Sequence, residues 1–186
     1  MSSQVERVNT AWDRIEKWYA EKNPDYKLPV GAAASDIADT ETHLGFTLPE
    51  ELKASLMRHN GVLNWIHIEL LSAKRIKDEW SVRAGLVDNG TFDACNAIVE
   101  DNEFLQKCWF NKSWVLIDTD CIANGACLDL NPGPKGKVGQ IINMDHEMGP
   151  SGPLFPDYAA YLENAADLLE SGRYEVVDGY PKEVHN

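Results

Sequence analysis

The sequence predicts an α+β fold, in which a mainly antiparallel sheet is covered by N-terminal helices and a C-terminal helix. The first observation is that apolar residues recur every three or four positions between residues 4 and 22, the spacing of an amphipathic helix. The second is that residues 113–145 hold short apolar runs separated by turn signals, as in an antiparallel meander. The third is that helical spacing returns between residues 155 and 172.

The N-terminal part is predicted to be helical. One stripe of the first helix, over residues 4–22, carries Val5, Val8, Trp12, Ile15 and Tyr19. Asn23-Pro24 ends this helix, because proline cannot continue its hydrogen bonds, and a loop is expected up to residue 34. Ser35 is predicted to cap a second helix that runs to Leu44, since its hydroxyl can accept a free amide of the first turn.

The stretch from Glu41 to Gly61 reads ETHLGFTLPEELKASLMRHNG and is interpreted as two helix boundaries. Gly45 is expected to end the second helix in the left-handed conformation, which glycine adopts without a steric penalty. Pro49 begins a third helix, because its missing N–H costs nothing in the first turn, and Asn60-Gly61 ends that helix. The side chains expected to face the core are Leu52, Leu56 and Met57.

The pattern alternates after this helix. The heptapeptide NWIHIEL, residues 64–70, predicts one strand with two faces. One face carries Ile66, Ile68 and Leu70, and the other carries Trp65, His67 and Glu69. Ser72 is predicted to cap a helix that carries Ile76, Trp80 and either Leu86 or Val87. The acidic stretch 88–106 has weak periodicity, so a short helix and a loop anchored by Trp109 are expected there.

The clearest β signal lies between residues 113 and 145. Strands are predicted over 114–119, 126–130 and 138–144, with Asn124-Gly125 in the first connection and NPGPKGK in the second. Phe155-Pro156-Asp157 then opens a helix that Gly172 closes. Its inward side chains are predicted to be Tyr158, Tyr161, Leu162, Ala165, Leu168 and Leu169.

The formal net charge of −13 is unevenly distributed. Residues 88–106 hold five acidic residues and residues 145–170 hold six, and neither stretch contains Lys or Arg. Such a field repels nucleic acid and anionic lipid and attracts basic partners, although surface acidity also serves solubility alone. The charged N-terminal residues argue against a signal peptide, and no apolar run is long enough to cross a membrane, so a cytoplasmic protein is expected.

Little in the sequence points to catalysis or metal binding. The order D-T-D-C-I-A-N-G from Asp118 is similar to a calcium loop, but Ile122 stands where an oxygen ligand is needed. Asp118, Asp120 and Asp129 are candidate acids and bases for hydrolysis, although such residues are more often solvated turn acids. The histidines show no metal-binding spacing, and the four cysteines are expected to be buried thiols. We therefore expect no enzymatic activity, no cofactor and no metal.

Two groups of motifs carry a resemblance to a known family. The first, E-x-x-L-G-x-x-L-P-x-x-L followed by H-N-G, is formed by Glu41, Leu44, Gly45, Leu48, Pro49, Leu52, His59, Asn60 and Gly61. The second is W-V-L-I-D from Trp114, followed by C-L-D-L-N-P-G and by V-G-Q-I-I, which contains Gly139. With the first and last helices, these motifs cover most of the chain, and the acidic stretch 88–106 matches least. The sequence resembles the SUKH superfamily, the SMI/KNR group of cell-wall regulators.

The resemblance implies a non-catalytic α+β protein whose shared residues determine the fold. We expect one SUKH-like domain over residues 1–186, with residues 88–106 as an acidic insertion and residues 173–186 as a tail. Many bacterial members of the family look like immunity proteins encoded beside polymorphic or contact-dependent toxins. Fungal relatives are regulators of cell-wall synthesis.

The leading functional hypothesis is a bacterial immunity protein that occludes the active site of one toxin domain. If that site is basic, an acidic face would accelerate encounter about 10–10³-fold. The candidate contacts are Asp88, Asp93, Glu100, Asp101, Glu103, Trp65, Trp80, Trp109, Asp118 and Asp120, although the three tryptophans also suit the core. The alternative is a cytoplasmic regulatory or scaffold protein of the cell-wall-regulator type. The sequence does not indicate an oligomeric state.

Overall fold

A computed structural model describes residues 3–66 and 68–184, in which helices pack against antiparallel sheets, so the predicted α+β class is confirmed. The helices are α1 Ser3–Lys22, α2 Ala34–Leu44, α3 Glu50–Arg58, α4 Ala73–Asp88, α5 Asp93–Asn96 and α6 Tyr158–Glu170. The strands are β1 Val62–Trp65, β2 Ile68–Leu70, β3 Trp114–Leu116, β4 Asp118–Thr119, β5 Gly125–Asp129, β6 Gln140–Asp145, β7 Gly149–Phe155, β8 Tyr174–Val177 and β9 Tyr180–Glu183. The predicted face of His67, that of the Ile68 side chain and the last two residues of the predicted tail fall outside this description.

The predicted meander forms a sheet with the strand order β3-β5-β6-β7. Trp114 lies opposite Asp129, and Leu128 lies opposite Ile141 in the next pair. The sequence does not predict β7, because GPSGPLF contains the prolines and glycines that are typical of turns. Proline is tolerated there because β7 lies at the edge of this sheet, where not every N–H is needed for pairing.

The prediction of a single strand over residues 64–70 is wrong. β1 and β2 are separate antiparallel strands, and Trp65 lies opposite Ile68, with Ile66 in the turn between them. A short alternating run is compatible with one strand or with two strands joined by a tight turn, and NWIHIEL contains no glycine or proline to mark a turn. The hairpin pairs with β4 to form a second sheet in the order β1-β2-β4.

The strand predicted over residues 114–119 is divided between these two sheets. β3 belongs to the meander and β4 belongs to the hairpin sheet. Ile117 lies between them: its N–H donates to the carbonyl of Ala126 at 2.9 Å, and its carbonyl accepts from the N–H of Leu71 at 2.8 Å. The chain therefore passes from one sheet to the other at Ile117, and Asp118 lies at the junction.

The helix boundaries within residues 41–61 lie close to the positions that the sequence predicts. Gly45 ends α2 with φ of +81°, and a carboxylate oxygen of Glu41 accepts from the N–H of Leu48 at 2.8 Å. Gly61 has φ of +80°, and a β-carbon there would lie 2.6 Å from the backbone nitrogen of Ser72, so only glycine fits. The side chain of Asn60 accepts from the N–H of Ala73 at 2.9 Å, which joins the end of α3 to the start of α4.

Two predictions about these helices are wrong. Ser35 lies inside α2 and does not cap it; Ala33 takes the capping position, and Asp36 accepts from the N–H of Ala33 at 3.3 Å. Met57 is 51% exposed, whereas Leu52 and Leu56 are buried as predicted. Met57 follows Leu56 directly and lies beside the buried stripe. Near the end of a helix, a spacing of three or four residues does not show which of two neighbouring residues is buried.

The core joins the first and last helices. The indole N–H of Trp12 in α1 donates to the hydroxyl of Ser55 at 2.9 Å, and that hydroxyl shares a hydrogen bond of 2.9 Å with the hydroxyl of Tyr158 in α6. At the surface of the same helix pair, Arg7 and Arg14 form ion pairs with acidic residues of the α6 segment, namely Asp157, Glu163, Asp167 and Glu170.

The C-terminal segment predicted as a tail contains the β8–β9 hairpin. The side-chain amides of Asn23 and Asn64 both donate to the carbonyl of Gly179, at 3.1 Å and 2.8 Å, so the hairpin is attached to the loop after α1 and to β1. No helix within the described residues is long and apolar enough to cross a bilayer. The four cysteines are free thiols; Cys127 is buried as predicted, but Cys121 is exposed.

Candidate protein-binding site

The acidic residues of the 88–106 stretch are exposed, and three of the five are paired with lysines. Asp88 forms an ion pair with Lys112. Asp101 lies 2.7 Å from Lys107, and Glu103 lies 2.5 Å from Lys135. The sequence pattern missed this compensation, because all three lysines lie outside the stretch itself. Asp93 begins α5, and Glu100 lies exposed in the loop that follows.

The three candidate tryptophans are held by the fold. Trp65 is 1% exposed and Trp109 is 5% exposed, so their rings lie in the core. Trp109 packs beside Gly149, where a β-carbon would lie only 3.0 Å from the ring. Trp80 is half-buried, and its indole N–H donates to the carbonyl of Lys112 at 2.8 Å. In this conformation Trp80 alone of these three offers part of its ring to solvent.

Asp118 lies at the centre of a buried hydrogen-bond chain. One carboxylate oxygen accepts from the N–H of Ala126 at 2.5 Å, and the other accepts from the hydroxyl of Tyr161 at 2.6 Å. The Tyr161 oxygen in turn accepts from the indole N–H of Trp65 at 3.0 Å, so the tyrosine proton is directed to Asp118. Burial and the nearby carboxylate of Asp118 raise the pKa of Tyr161 well above its ordinary value, so the tyrosine stays neutral.

Asp120 organises the loop between β4 and β5. Its carboxylate accepts from the N–H groups of Ile122 and Asn124, at 2.7 Å and 3.1 Å, and from the side-chain amide of Asn124 at 2.8 Å. Burial opposes ionisation of this carboxyl group, but these hydrogen bonds together outweigh it and lower the pKa of Asp120. Asp120 is therefore a carboxylate at neutral pH.

The same loop contains backbone strain. Cys121 and Ala123 have φ of +64° and +78°, a region that residues with a β-carbon rarely occupy. The hydroxyl of Thr119 accepts from the N–H of Cys121 at 3.1 Å, and Arg83 donates to the carbonyl of Ala123 at 3.3 Å. These bonds hold the loop in a fixed conformation in which Ile122 is 68% exposed.

Asp118 and Asp120 line one cavity of about 220 Å³, which we call the β4–β5 cavity. The rest of its lining is formed by Asn124, Gly125, Ala126, Asn143, Leu154, Phe155 and Tyr161. The rings of Phe155 and Tyr161 meet edge to face, with centroids 5.8 Å apart. No lysine, arginine or histidine of the described residues lines it. The structure thus brings together two of the candidate site residues on a partly apolar wall.

The sequence did not predict most of this lining. Tyr161 was expected to point inward, but its contact with Asp118 joins residues 43 positions apart. Leu154 and Phe155 reach the cavity because β7 pairs with β6, and β7 is not predicted from its proline-rich sequence. The sequence predicts that Asn124 lies in a turn, and this signal is the only indication of its position.

Asp129 does not join the other two aspartates of the hydrolytic hypothesis. Asp118 and Asp120 lie beside the Gly125 end of β5, whereas Asp129 lies at its other end. Asp129 accepts hydrogen bonds from the indole of Trp114, the N–H of Asn131 and the side-chain amide of Gln140. Burial is the main cause that raises its pKa. The register places Asp129 opposite Trp114, so the three candidate acids and bases do not form one cluster.

A family model described as SMI1 / KNR4 family (SUKH-1) matches residues 31–164 of this chain. The matched range includes the helix-boundary motif, the meander and most of α6. It also includes every residue that lines the β4–β5 cavity.

Three fungal proteins are similar to nearly the whole chain. A "Glucan synthesis regulatory protein" of Neurospora crassa is 23% identical over 91% of the chain and 40% of its own length. A "Cell wall biosynthesis/cell cycle regulator smi1" of Schizosaccharomyces pombe is 25% identical over 91% of the chain and 37% of its own length. A "Cell wall assembly regulator SMI1" of Saccharomyces cerevisiae is 22% identical over 94% of the chain and 43% of its own length. The chain therefore spans about two fifths of these curated relatives, whose names describe regulators rather than enzymes.

Proposed function

Because the chain belongs to the SMI1/KNR4 family (SUKH-1), we propose that it is a non-catalytic regulatory protein that acts by binding other proteins, as a cell-wall regulator or scaffold. The observation that carries this proposal is that regulators of glucan synthesis and of cell-wall assembly align with more than nine tenths of the chain. The chain matches only a part of those longer proteins, so the proposal rests on the similarity to that part. We propose that it acts in the cytoplasm.

The roles of the motif residues support this proposal. Glu41 and Asn60 cap backbone N–H groups, and Gly61 allows two segments of backbone to approach. Trp114 and Asp129 hold each other in the core. Because these side chains are occupied by the fold, we infer that the function resides in other residues at the surface.

Immunity against a toxin is the second candidate, and the net charge of −13 favours it. An acidic protein is attracted to a basic toxin that acts on nucleic acid. The ion pairs of Asp88, Asp101 and Glu103 reduce that attraction in the 88–106 stretch, since each carboxylate is already beside a lysine. The fungal relatives named above also favour the regulator over this candidate.

The regulatory proposal is tested by deleting the gene in the organism that encodes it. We expect growth on a compound that perturbs the cell wall to fall, and a plasmid copy of the gene to restore it. Trp114→Ala is the control that should not restore growth, because Trp114 is 0% exposed and its loss disrupts the core. Unchanged growth and unchanged wall composition after deletion would contradict the proposal.

The immunity candidate is tested in a separate host. The neighbouring open reading frame is expressed there with and without this protein, and survival is scored. Killing that this protein alone prevents would establish immunity and displace the regulatory proposal. A harmless neighbour, or killing that continues in the presence of the protein, would remove the second candidate.

A further inference from the structure

The β4–β5 cavity has a size and a lining that suit one long side chain. Its volume of about 220 Å³ is smaller than that of the pockets of about 300–1,000 Å³ that hold drug-sized ligands. Leu154, Phe155 and Tyr161 form an apolar wall, while Asp118 and Asp120 place carboxylates on the same cavity. A slot with apolar sides and acidic groups suits a side chain with a hydrocarbon stem and a positive end.

The charge of Asp120 persists because neutral groups stabilise it. The Asp120 carboxylate accepts its hydrogen bonds from backbone and amide N–H groups, which stabilise the charge without cancelling it. Both oxygens of Asp118 act as acceptors, from the N–H of Ala126 and from the hydroxyl of Tyr161. A cation that enters the cavity therefore meets two acidic residues in a partly desolvated place, where charge–charge attraction exceeds that in water.

The surroundings of the cavity add to the negative field. The turn between β6 and β7 lies beside the cavity, because the ring and the N–H of His146 both contact the side-chain oxygen of Asn124, at 2.8 Å and 2.9 Å. Asp145, the last residue of β6, and Glu147, in the turn, stand on either side of His146 in the chain. Arg83 donates to the carbonyl of Ala123 in the β4–β5 loop, but it is buried and its charge is paired with Glu79 at 2.6 Å.

Two exposed apolar side chains lie on the segments that form the cavity. Ile122 is 68% exposed on the loop that Asp120 holds, and Leu154 is 50% exposed on β7. Single exposed apolar residues are common on protein surfaces, but two beside a cavity offer contact area to the main chain and neighbours of an inserted residue. This favours a side chain that belongs to a protein over a free small amine.

We propose that the β4–β5 cavity receives a lysine or arginine side chain of a protein partner, with Ile122 and Leu154 contacting the residues beside it. The proposal deepens the proposed function, on which it rests, by assigning a surface and the chemistry of the partner. The aliphatic stem lies against Leu154 and Phe155, and the charged end lies near Asp118 and Asp120. The aromatic rings of Phe155 and Tyr161 add a favourable surface for a cation.

The test is a titration of the ¹⁵N-labelled full chain, followed by amide chemical shifts. The probes are the peptides acetyl-Leu-Lys-Leu-amide and acetyl-Leu-Arg-Leu-amide, with acetyl-Leu-norleucine-Leu-amide as the uncharged match. We expect saturable shifts of Asn124, Gly125 and Ala126 with the basic peptides, and affinity about tenfold lower for norleucine, as the loss of one partly buried charge contact implies. n-Butylammonium is a fourth probe and should bind more weakly than the lysine peptide.

The matched variants are Leu154→Lys and Val138→Lys. Both replace an exposed apolar residue by the same cation, but Leu154 lines the cavity, and Val138 lies in the connection between β5 and β6, near the Asp129 end of β5. We expect Leu154→Lys to abolish binding, because its own ammonium group reaches the carboxylates, and Val138→Lys to leave binding within about twofold. Because both positions are exposed, each variant is expected to fold.

Several outcomes would overturn the proposal. These are equal binding of the norleucine peptide, tighter binding of n-butylammonium, shifts confined to residues 88–106, and no shift at all. Equal loss of binding in both lysine variants would also overturn it, since that result would indicate general charge attraction. None of these results affects the deletion experiment, so failure of this inference remains distinguishable from failure of the regulatory proposal.

Discussion

Tyr161 shows how much one side chain can organise in this molecule. Its hydroxyl oxygen accepts from Trp65 and its proton goes to Asp118, so it joins β1, α6 and β4. All three residues are at most 3% exposed. The sequence predicts that Tyr161 faces inward, but not this contact, because helical spacing gives a direction and not a partner.

Replacing the hydroxyl of Tyr161 should therefore be costly. Tyr161→Phe leaves the indole N–H of Trp65 without its acceptor and Asp118 without one donor, so we expect a loss of about 2–3 kcal/mol in the free energy of unfolding. Urea denaturation measures this change. Tyr180→Phe removes a hydroxyl from a ring that is 44% exposed, and should change stability by less than about 0.5 kcal/mol. Equal effects of the two variants would contradict the buried chain.

For the strained loop we predict a substitution that raises the free energy of unfolding. Ala123 has φ of +78°, which costs a residue with a β-carbon about 1–2 kcal/mol. Ala123→Gly relieves this strain and loses part of the gain to the greater freedom of the unfolded chain, so we expect a net stabilisation of about 0.5 kcal/mol. Thermal unfolding followed by circular dichroism measures it. Ala97→Gly, at an ordinary φ of −71°, should destabilise instead, and a gain there as well would refute the role of strain.

At the scale of elements, helix ends are the features that the sequence predicts best. Gly45, Ser72 and Asp157 occupy the predicted ends of α2, α4 and α6, because each signal is local to a single turn. The strands are predicted less well. No glycine or proline marks the tight turn between β1 and β2, and β7 has a turn-like composition. Which sheet a strand joins depends on distant partners that a local pattern does not contain.

The start of α6 provides a prediction about pH. Asp157 accepts from the N–H of Ala160 at 2.8 Å and lies near Arg7. Burial raises the pKa of Asp157, but its hydrogen bonds and the charge of Arg7 outweigh this and hold the pKa below the ordinary value of 3.8. Because the folded pKa is depressed, the stabilisation is fully present above the unfolded pKa and is lost as the pH falls through the folded pKa.

Asp157→Asn isolates this charge, since asparagine is also a good helix cap. We expect a lower free energy of unfolding than in the natural protein at pH 7, and a difference that shrinks as the pH falls below about 4. Chemical denaturation at a series of pH values measures it. Glu6→Gln makes the same change of charge at an exposed position of α1 and is the control. A difference that stays constant with pH would exclude the proposed electrostatic origin.

At the scale of the whole molecule, the family model matches fewer residues than the folded unit contains. The match begins at residue 31, but α1 precedes it and carries Trp12 and Ile15, which are both 0% exposed. The sequence predicts α1 and its buried stripe because strong helical periodicity is a local signal. Its pairing with α6, more than a hundred residues away, is known only from the structure.

A chain that begins at residue 31 should therefore fail to fold. Loss of α1 exposes the faces of α3 and α6 and removes the partner of Ser55, so we expect no cooperative thermal transition. Dispersion of amide signals and calorimetry provide the measurement. Removal of residues 173–186 deletes a mostly exposed hairpin and should leave a cooperative transition at lower temperature. A cooperative transition in the chain that begins at residue 31 would show that α1 is dispensable.

The edge strand β7 has a consequence for the behaviour of many copies together. Two of its seven residues are prolines, Pro150 and Pro153, and neither has an amide hydrogen to donate. Fibrils grow when an open strand offers a continuous row of donors and acceptors to the next molecule. The row of donors on β7 is interrupted, so this strand is an incomplete template for a second molecule. The prolines that make β7 difficult to predict from the sequence therefore also oppose the growth of the folded sheet into fibrils.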